Sequence, residues 1–271
     1  MSGSTRQSTA AARERLEALT DNASVDLGAL SGDLMDVTRV LDREVSLRRI
    51  LTDPATPGEA KAGLVANLLT GKVGAETVDL ISGMVRSRWS SGRDLADATE
   101  QLAALALIIG ADKANELDEV EDELFRFGRV VAGNVELRSA LTDNAAATSA
   151  KTELVRSLLG GKAKAATIAL ITALVSQPRG RSLESGLEEY SRLAAGRRGR
   201  VVALVTTAVP MSDTQKERLA ASLATLTGHP VHLNLDVDPA VLGGVRVQIG
   251  DEIIEGTIAG RLDTADRSLA G

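Results

Sequence analysis

The chain has no cysteine. Disulfides, thiolate nucleophiles and Cys-ligated metals are therefore excluded, and the composition suits a reducing compartment. Aromatic residues number four: Trp89, Phe125, Phe127 and Tyr190. A core of Ala, Leu and Val favours closely packed helices, and argues against a deep aromatic-lined ligand pocket or a base-stacking surface. The two histidines, His229 and His232, stand at i and i+3 of a strand approach. They point to opposite faces and cannot share an ion, so they read as turn and strand-surface residues. The longest apolar run, 102–111, ends at Asp112-Lys113. A bilayer span needs about 20 such residues, so this is a buried helix segment.

A net charge of −6 gives no broad electrostatic reason to bind nucleic acid. The first fifteen residues lack an apolar signal core. They are Ser/Arg-rich and acid-poor, as in organelle transit peptides, but Leu16 and Leu19 continue a helical pattern. A frayed tail entering a first helix is expected. Neither GxxxxGK[ST] nor GxGxxG occurs, and the Gly-Lys pair at 161–162 follows a helix rather than a strand. No nucleophile elbow or paired histidine is present. The acidic run Glu116, Asp118, Glu119, Glu121, Asp122, Glu123 lacks EF-hand spacing and reads as the solvated start of a helix. No catalytic, metal or cofactor site is expected.

What is present is a duplication. Residues 45–72 fall on 135–162 with fifteen of 28 positions identical and no gap. Upstream, Leu30, Leu34, Val37, Val40 and Leu41 sit opposite Val120, Leu124, Phe127, Val130 and Val131, both with the spacing of one helical face. Downstream, Met84-Val85 matches Leu174-Val175, and a two-residue offset then aligns Gly92-Arg93 with Gly180-Arg181. The period is far too long for a solenoid, so a whole domain is duplicated. Six short helices are expected in the second copy, with Ser149 capping the fourth. A helix at 94–110 is placed to close the first copy and open the second, and no Gly/Ser/Pro-rich linker intervenes. Gly196 to Arg200 (GRRGR) is the clearest linker, read as a solvated hinge.

The remaining quarter has another character. Val201 to Thr207 is a β-branched run, and Ser212 is placed to cap a helix carrying Leu219, Leu223 and Leu226. From Val231 the pattern alternates. Asp238-Pro239 ends that strand, Gly243-Gly244 turns the chain, and Val245, Val247 and Ile249 alternate again. Gly250-Asp251 supplies a hairpin turn, Gly256-Thr257 breaks the next strand, and a closing helix is expected through Arg267.

That order resembles the C-terminal signature of the delta subunit of F-type ATP synthases, the bacterial counterpart of the mitochondrial oligomycin-sensitivity-conferring protein. Here it is carried by Asp238, Pro239, Gly243, Gly244, Val247, Ile249, Gly250, Asp251, Gly256 and Leu262. The upstream hallmarks agree: Leu141-Thr142-Asp143 ending a short helix, Lys151 near the start of the next, and Arg-Gly-Arg at 179–181. The fold expected is mainly α: two tandem duplicated helical bundles at 1–96 and 97–195, then a small β-α-β-β-β-α domain at 196–271. The resemblance covers the second copy and the tail; the first copy is additional.

The resemblance implies a non-catalytic subunit of the peripheral stalk, which holds the catalytic head still while proton flow turns the rotor. It implies alpha and beta subunits of the head and a b-type stalk subunit as partners, no nucleic acid, no span of its own, and a peripheral place on the cytoplasmic face of a bacterial cell membrane. It places a groove for an amphipathic alpha-subunit helix between the first and fifth helices of the second copy, with Leu102, Leu105, Ile109, Leu187 and Tyr190 as candidate contacts. The bundles alone also permit a helical adaptor unrelated to ATP synthesis. A nucleotide-using enzyme is disfavoured, because Ala208-Val209-Pro210 stands where a Gly-rich loop would follow the first strand.

Overall fold

The computed structural model describes residues 3–20, 25–197, 199, 201–228, 231–239, 244–249 and 252–255. The chain forms two compact units, residues 1–190 and 191–271.

The first unit is helical: α1 (Gly3–Thr20), α2 (Leu27–Arg43), α3 (Val45–Thr52), α4 (Gly58–Leu69), α5 (Ala75–Arg86), α6 (Gly92–Lys113), α7 (Leu117–Gly133), α8 (Val135–Thr142), α9 (Thr148–Leu159), α10 (Ala165–Ser176) and the start of α11 (Leu183–Arg197). The duplication is carried into geometry. Helices α7 to α10 begin and end 90 residues after α2 to α5, element by element. Helix α6 belongs to both copies, as the last helix of one and the first of the other. The boundary expected at residue 96 falls inside it.

The shared position explains the composition of α6. Thirteen of its 22 residues are buried, from Leu95 through Ala111. It packs against α1, α2, α3 and α5 of the first copy and α7 and α10 of the second. A helix enclosed on nearly all sides needs apolar or small residues all round, and Ala96, Ala98, Ala103, Ala104 and Ala106 let its neighbours approach. Ser91 starts it by accepting from the Asp94 N–H at 3.2 Å.

The amino-terminal segment departs from the expectation of a frayed tail. It is helical from Gly3, and Thr5, Ser8 and Thr9 are buried. Small hydroxyls allow this because each finds a partner: Thr5 donates to Asp94 at 2.7 Å and Ser8 to the Arg88 carbonyl at 2.7 Å. Two other local expectations change. Helix α9 starts at Thr148, with Ala147 at its N-cap and no side-chain cap, so Ser149 lies inside it. Val40 and Val130, placed by periodicity on the apolar face, are 43% and 55% exposed. The next residues, Leu41 and Val131, are the ones buried in the last turns of α2 and α7, so the two valines stand at the edge of that face.

The second unit holds a four-stranded mixed sheet of order β2-β1-β3-β4, from β1 (Val201–Thr207), β2 (Val231–Val237), β3 (Val245–Ile249) and β4 (Glu252–Glu255). Helix α12 (Asp213–Thr227) crosses between β1 and its parallel neighbour β2, while β3 and β4 are antiparallel additions. Ser212 caps α12 in a reciprocal box with Gln215, and Gly228 ends it in the left-handed region at φ 72°. Ala203, Val205, Leu223 and Val247 form the core, with Leu219, Leu233 and Leu235 around them. The expected β-α-β-β-β order is present. The expected closing helix at 257–267 lies outside the described residues.

Candidate functional site

Each copy fastens its second helix to its fifth by the same device. Asp33 of α2 accepts from the Gly74 N–H and the Thr77 hydroxyl, capping α5. Ninety residues on, Glu123 of α7 accepts from the Lys164 N–H and the Thr167 hydroxyl, capping α10. Glu116 pairs with Lys164 at 3.0 Å. The acidic run is thus partly structural rather than only a solvated face: its two ends anchor α10.

The copies are joined by a buried charge network on α6. Arg179, with its side chain 6% exposed, meets Asp42 of α2 at 2.7 Å, Asp97 of α6 at 2.8 Å and Glu100 of α6 at 2.7 Å. Arg181 pairs with Glu100 and Glu189, and the Tyr190 hydroxyl hydrogen-bonds Glu100 at 3.2 Å. Arg179 reaches these carboxylates from a left-handed backbone at φ 51°, followed by Gly180 at φ 77°. The Arg-Gly-Arg hallmark is therefore an inter-copy joint. Its three acidic partners carried no local sequence signal, since Asp42 lies 137 positions away from Arg179.

The network polarises its members. Burial alone would lower the Arg179 pKa, but hydrogen bonds to Asp42 and Glu100 outweigh it and raise the value. Burial holds Asp97 above the usual carboxylate range, with Arg179 opposing. Burial, reinforced by Glu100, pushes the Tyr190 hydroxyl far above an ordinary phenol. A raised phenol pKa means the fold favours protonated Tyr190. That stability is present below the unfolded value of about 10 and is lost as pH rises beyond it. Tyr190 is the single tyrosine. Phenolate absorbance should therefore stay flat past pH ~10 and appear only together with loss of helical circular dichroism, whereas the chain in denaturant titrates near pH ~10. Ionisation in the folded chain near that pH would contradict the network.

The five candidate docking residues are all interior. Leu102 and Ile109 are fully buried, Leu105 is 6% exposed, Leu187 4%, and Tyr190 fully buried. Leu187 and Tyr190 lie on α11, the sixth helix of the second copy, and Leu187 lies over Gly128 of α7. For Leu102, Leu105 and Ile109 the cause is the first copy, whose α1, α2, α3 and α5 pack on α6; Leu187 and Tyr190 are buried against α7 and α6. On the fifth helix, α10, Ile168, Ala169 and Ala173 are partly exposed, with Thr172 and Ser176 beside them. Helix α10 carries no charged residue. Its counterpart α5 carries Glu76, Asp79 and Arg86, and Asp79 is bonded to Arg15 of α1 at 2.6 Å. In the second copy those two positions are Ala169 and Leu105.

In the signature of the second unit, the Asp238 N–H donates to the Thr207 carbonyl at 2.9 Å, Ile249 pairs with Ala203 and Glu252, and Gly244 has φ 87°. Only glycine enters that last conformation without strain. Gly243, Gly250, Asp251, Gly256 and Leu262 lie outside the described residues, as do His229 and the side chain of His232. Among the described residues no cluster of metal-ligating side chains occurs, and no helix is long and apolar enough to cross a membrane.

A double bundle built on one shared helix, followed by a small mixed-sheet domain, defines a helical scaffold protein. The family model of the ATP synthase delta (OSCP) subunit matches residues 100–269. A Streptomyces griseus ATP synthase subunit delta is 62% identical over 271 residues, covering all of both chains. Those of Thermobifida fusca and Acidothermus cellulolyticus are 46% and 43% identical, again over all of each chain. One chain of the Toxoplasma gondii mitochondrial ATP synthase hexamer is 23% identical at a TM-score of 0.37, covering 62% of this chain and 95% of that one. The chain belongs to the ATP synthase delta (OSCP) subunit family, and is a structural subunit of the peripheral stalk of that enzyme. Its first copy, beyond the family model, is covered in each of the three relatives.

Proposed function

We propose that the chain fastens the catalytic head to the stalk by gripping an amphipathic N-terminal helix of an alpha subunit with its second copy and a b-type subunit with its small domain, on the cytoplasmic face of the membrane. The supporting observation is the charge-free α10 beside Leu105, where the first copy has an Arg15–Asp79 ion pair. An apolar helix stripe loses water against small apolar residues, but must strip a solvated ion pair to lie in the first copy. The second copy is thus the receptor, and Ile168, Ala169 and Ala173 are its contacts in place of the five interior residues.

Ala169→Glu puts a charge on this surface without entering the core. It should weaken a synthetic alpha N-terminal peptide at least tenfold in calorimetry while the melting temperature stays within about 2 °C, as for a surface change of about 0.5 kcal/mol. Unchanged affinity would exclude the α6–α10 groove.

A further inference from the structure

The two copies differ at a second place, and one of them lacks half of an ion pair. In the first copy Arg48 of α3 is folded inward. It donates to the Leu41 carbonyl at 2.8 Å and stands 3.8 Å from Asp42. Its stem fills the space beside Gly92, where an added Cβ would meet Arg48 Cγ at 2.7 Å. The first turn of α6 closes the rest, and α3 packs on α6.

The counterpart of Arg48 is Arg138 on α8, and the counterpart of Asp42 is Ala132. Arg138 makes no ion pair or side-chain hydrogen bond among the described residues. Helix α11 starts only at Leu183, so residues 180–182 leave open what the first turn of α6 fills. The result is a cleft of about 610 Å³ between α8, the end of α10 and the 178–184 segment. Val135, 67% exposed, gives it an apolar rim over a floor of buried Leu141, Leu174 and Leu183, and Arg138, Ser139 and Arg181 supply polar groups. Arg181 is committed to Glu100 and Glu189. Glu184 also lines the cleft, without an ion pair to Arg138 among the described residues.

We infer that this cleft is a second docking site, distinct from the α6–α10 groove, for an acidic segment of a neighbouring ATP synthase subunit. The occupant places an apolar side chain against Val135 and an Asp or Glu against Arg138. It supplies from outside the carboxylate that Asp42 supplies to Arg48 within the chain. A guanidinium on an apolar rim favours a carboxylate because the charged hydrogen bond strengthens as water leaves.

The absence of cysteine gives a clean test. The full-length Ser139→Cys chain is labelled with a benzophenone maleimide and rebound to ATP synthase stripped of its own copy. Irradiation followed by peptide mass spectrometry identifies what lies in the cleft. The expected product joins residue 139 to a segment of another subunit with an Asp or Glu beside an apolar residue. Adding Arg138→Glu should lower the yield at least tenfold. Arg138→Gln, neutral and of similar length, should lower it at least threefold with unchanged melting, and decides the matter if the Glu variant is unstable. No cross-link to another subunit, a cross-link only to a second copy of this chain, a target without a carboxylate, or a yield indifferent to both variants would overturn the assignment. The yield is expressed per bound chain, which separates occupation of this cleft from binding through the α6–α10 groove.

Discussion

Arg179→Ala should lower the melting temperature of the helical unit by about 6–20 °C. The figure follows from two steps. Removing one partner of a buried ion pair costs about 3–5 kcal/mol, because the other charge is left uncompensated. Each kcal/mol moves the midpoint by about 2–4 °C in a domain of 150–250 residues. Glu100 is the carboxylate left worst off: its side chain is 6% exposed, as is that of Arg179. Arg181 remains as its second cation, which keeps the loss from exceeding that range.

Two companion variants identify the cause. Arg179→Lys keeps the charge but loses the planar fork that reaches Asp42, Asp97 and Glu100 from one centre, so it should recover less than half the loss. Arg179→Gly relieves the left-handed backbone at φ 51° and removes the charge. It should improve on the alanine variant by about 1 kcal/mol at most, because the backbone strain is worth about 1–3 kcal/mol and glycine restores unfolded-state entropy. A scan monitored by Trp89 fluorescence, a first-copy probe, and by circular dichroism over all helices checks this. An Arg179→Ala midpoint within 2 °C of the parent would mean the network is solvated and weak.

The duplication was legible because core positions repeat. Leu30, Leu34 and Val37 and their counterparts Val120, Leu124 and Phe127 are all buried. The tail was legible because glycine and proline punctuate it, and the Ser212 capping box is local in sequence. The candidate docking residues lie inside the bundle for a physical reason. Periodicity shows which side of α6 is apolar, but an apolar side covered by the bundle and one left for a partner look alike in sequence. Leu102 and Leu105 fit either reading, and only the packing of α1 and α2 on α6 decides. Asp42, Asp97 and Glu100, the acidic partners of Arg179, were invisible for the opposite reason: charged residues read as solvated until a fold brings them to one guanidinium.

The shared helix leads to a second large effect. A fragment of residues 91–271 contains the whole stretch matched by the family model, 100–269, and so would be expected to stand alone. The structure says otherwise. Cutting at residue 90 removes α1, α2, α3 and α5 from α6, a helix with thirteen of 22 residues buried. It also takes Asp42 from Arg179 and the Thr20 carbonyl from Lys113. Retained contacts to α7 and α10, and the Tyr190–Glu100 bond, hold only one side of α6. The exposed side is apolar, and an apolar face of that size drives self-association. The fragment should melt at least 10 °C below the whole chain, in line with a loss of several kcal/mol, and should bind a hydrophobic dye that the whole chain does not. Residues 1–90 added in trans should restore the melting temperature, because they carry the missing cover for α6. A fragment that is monomeric, dye-negative and as stable as the parent would show that the first copy is an appendage, and that α6 owes its stability to the second copy alone.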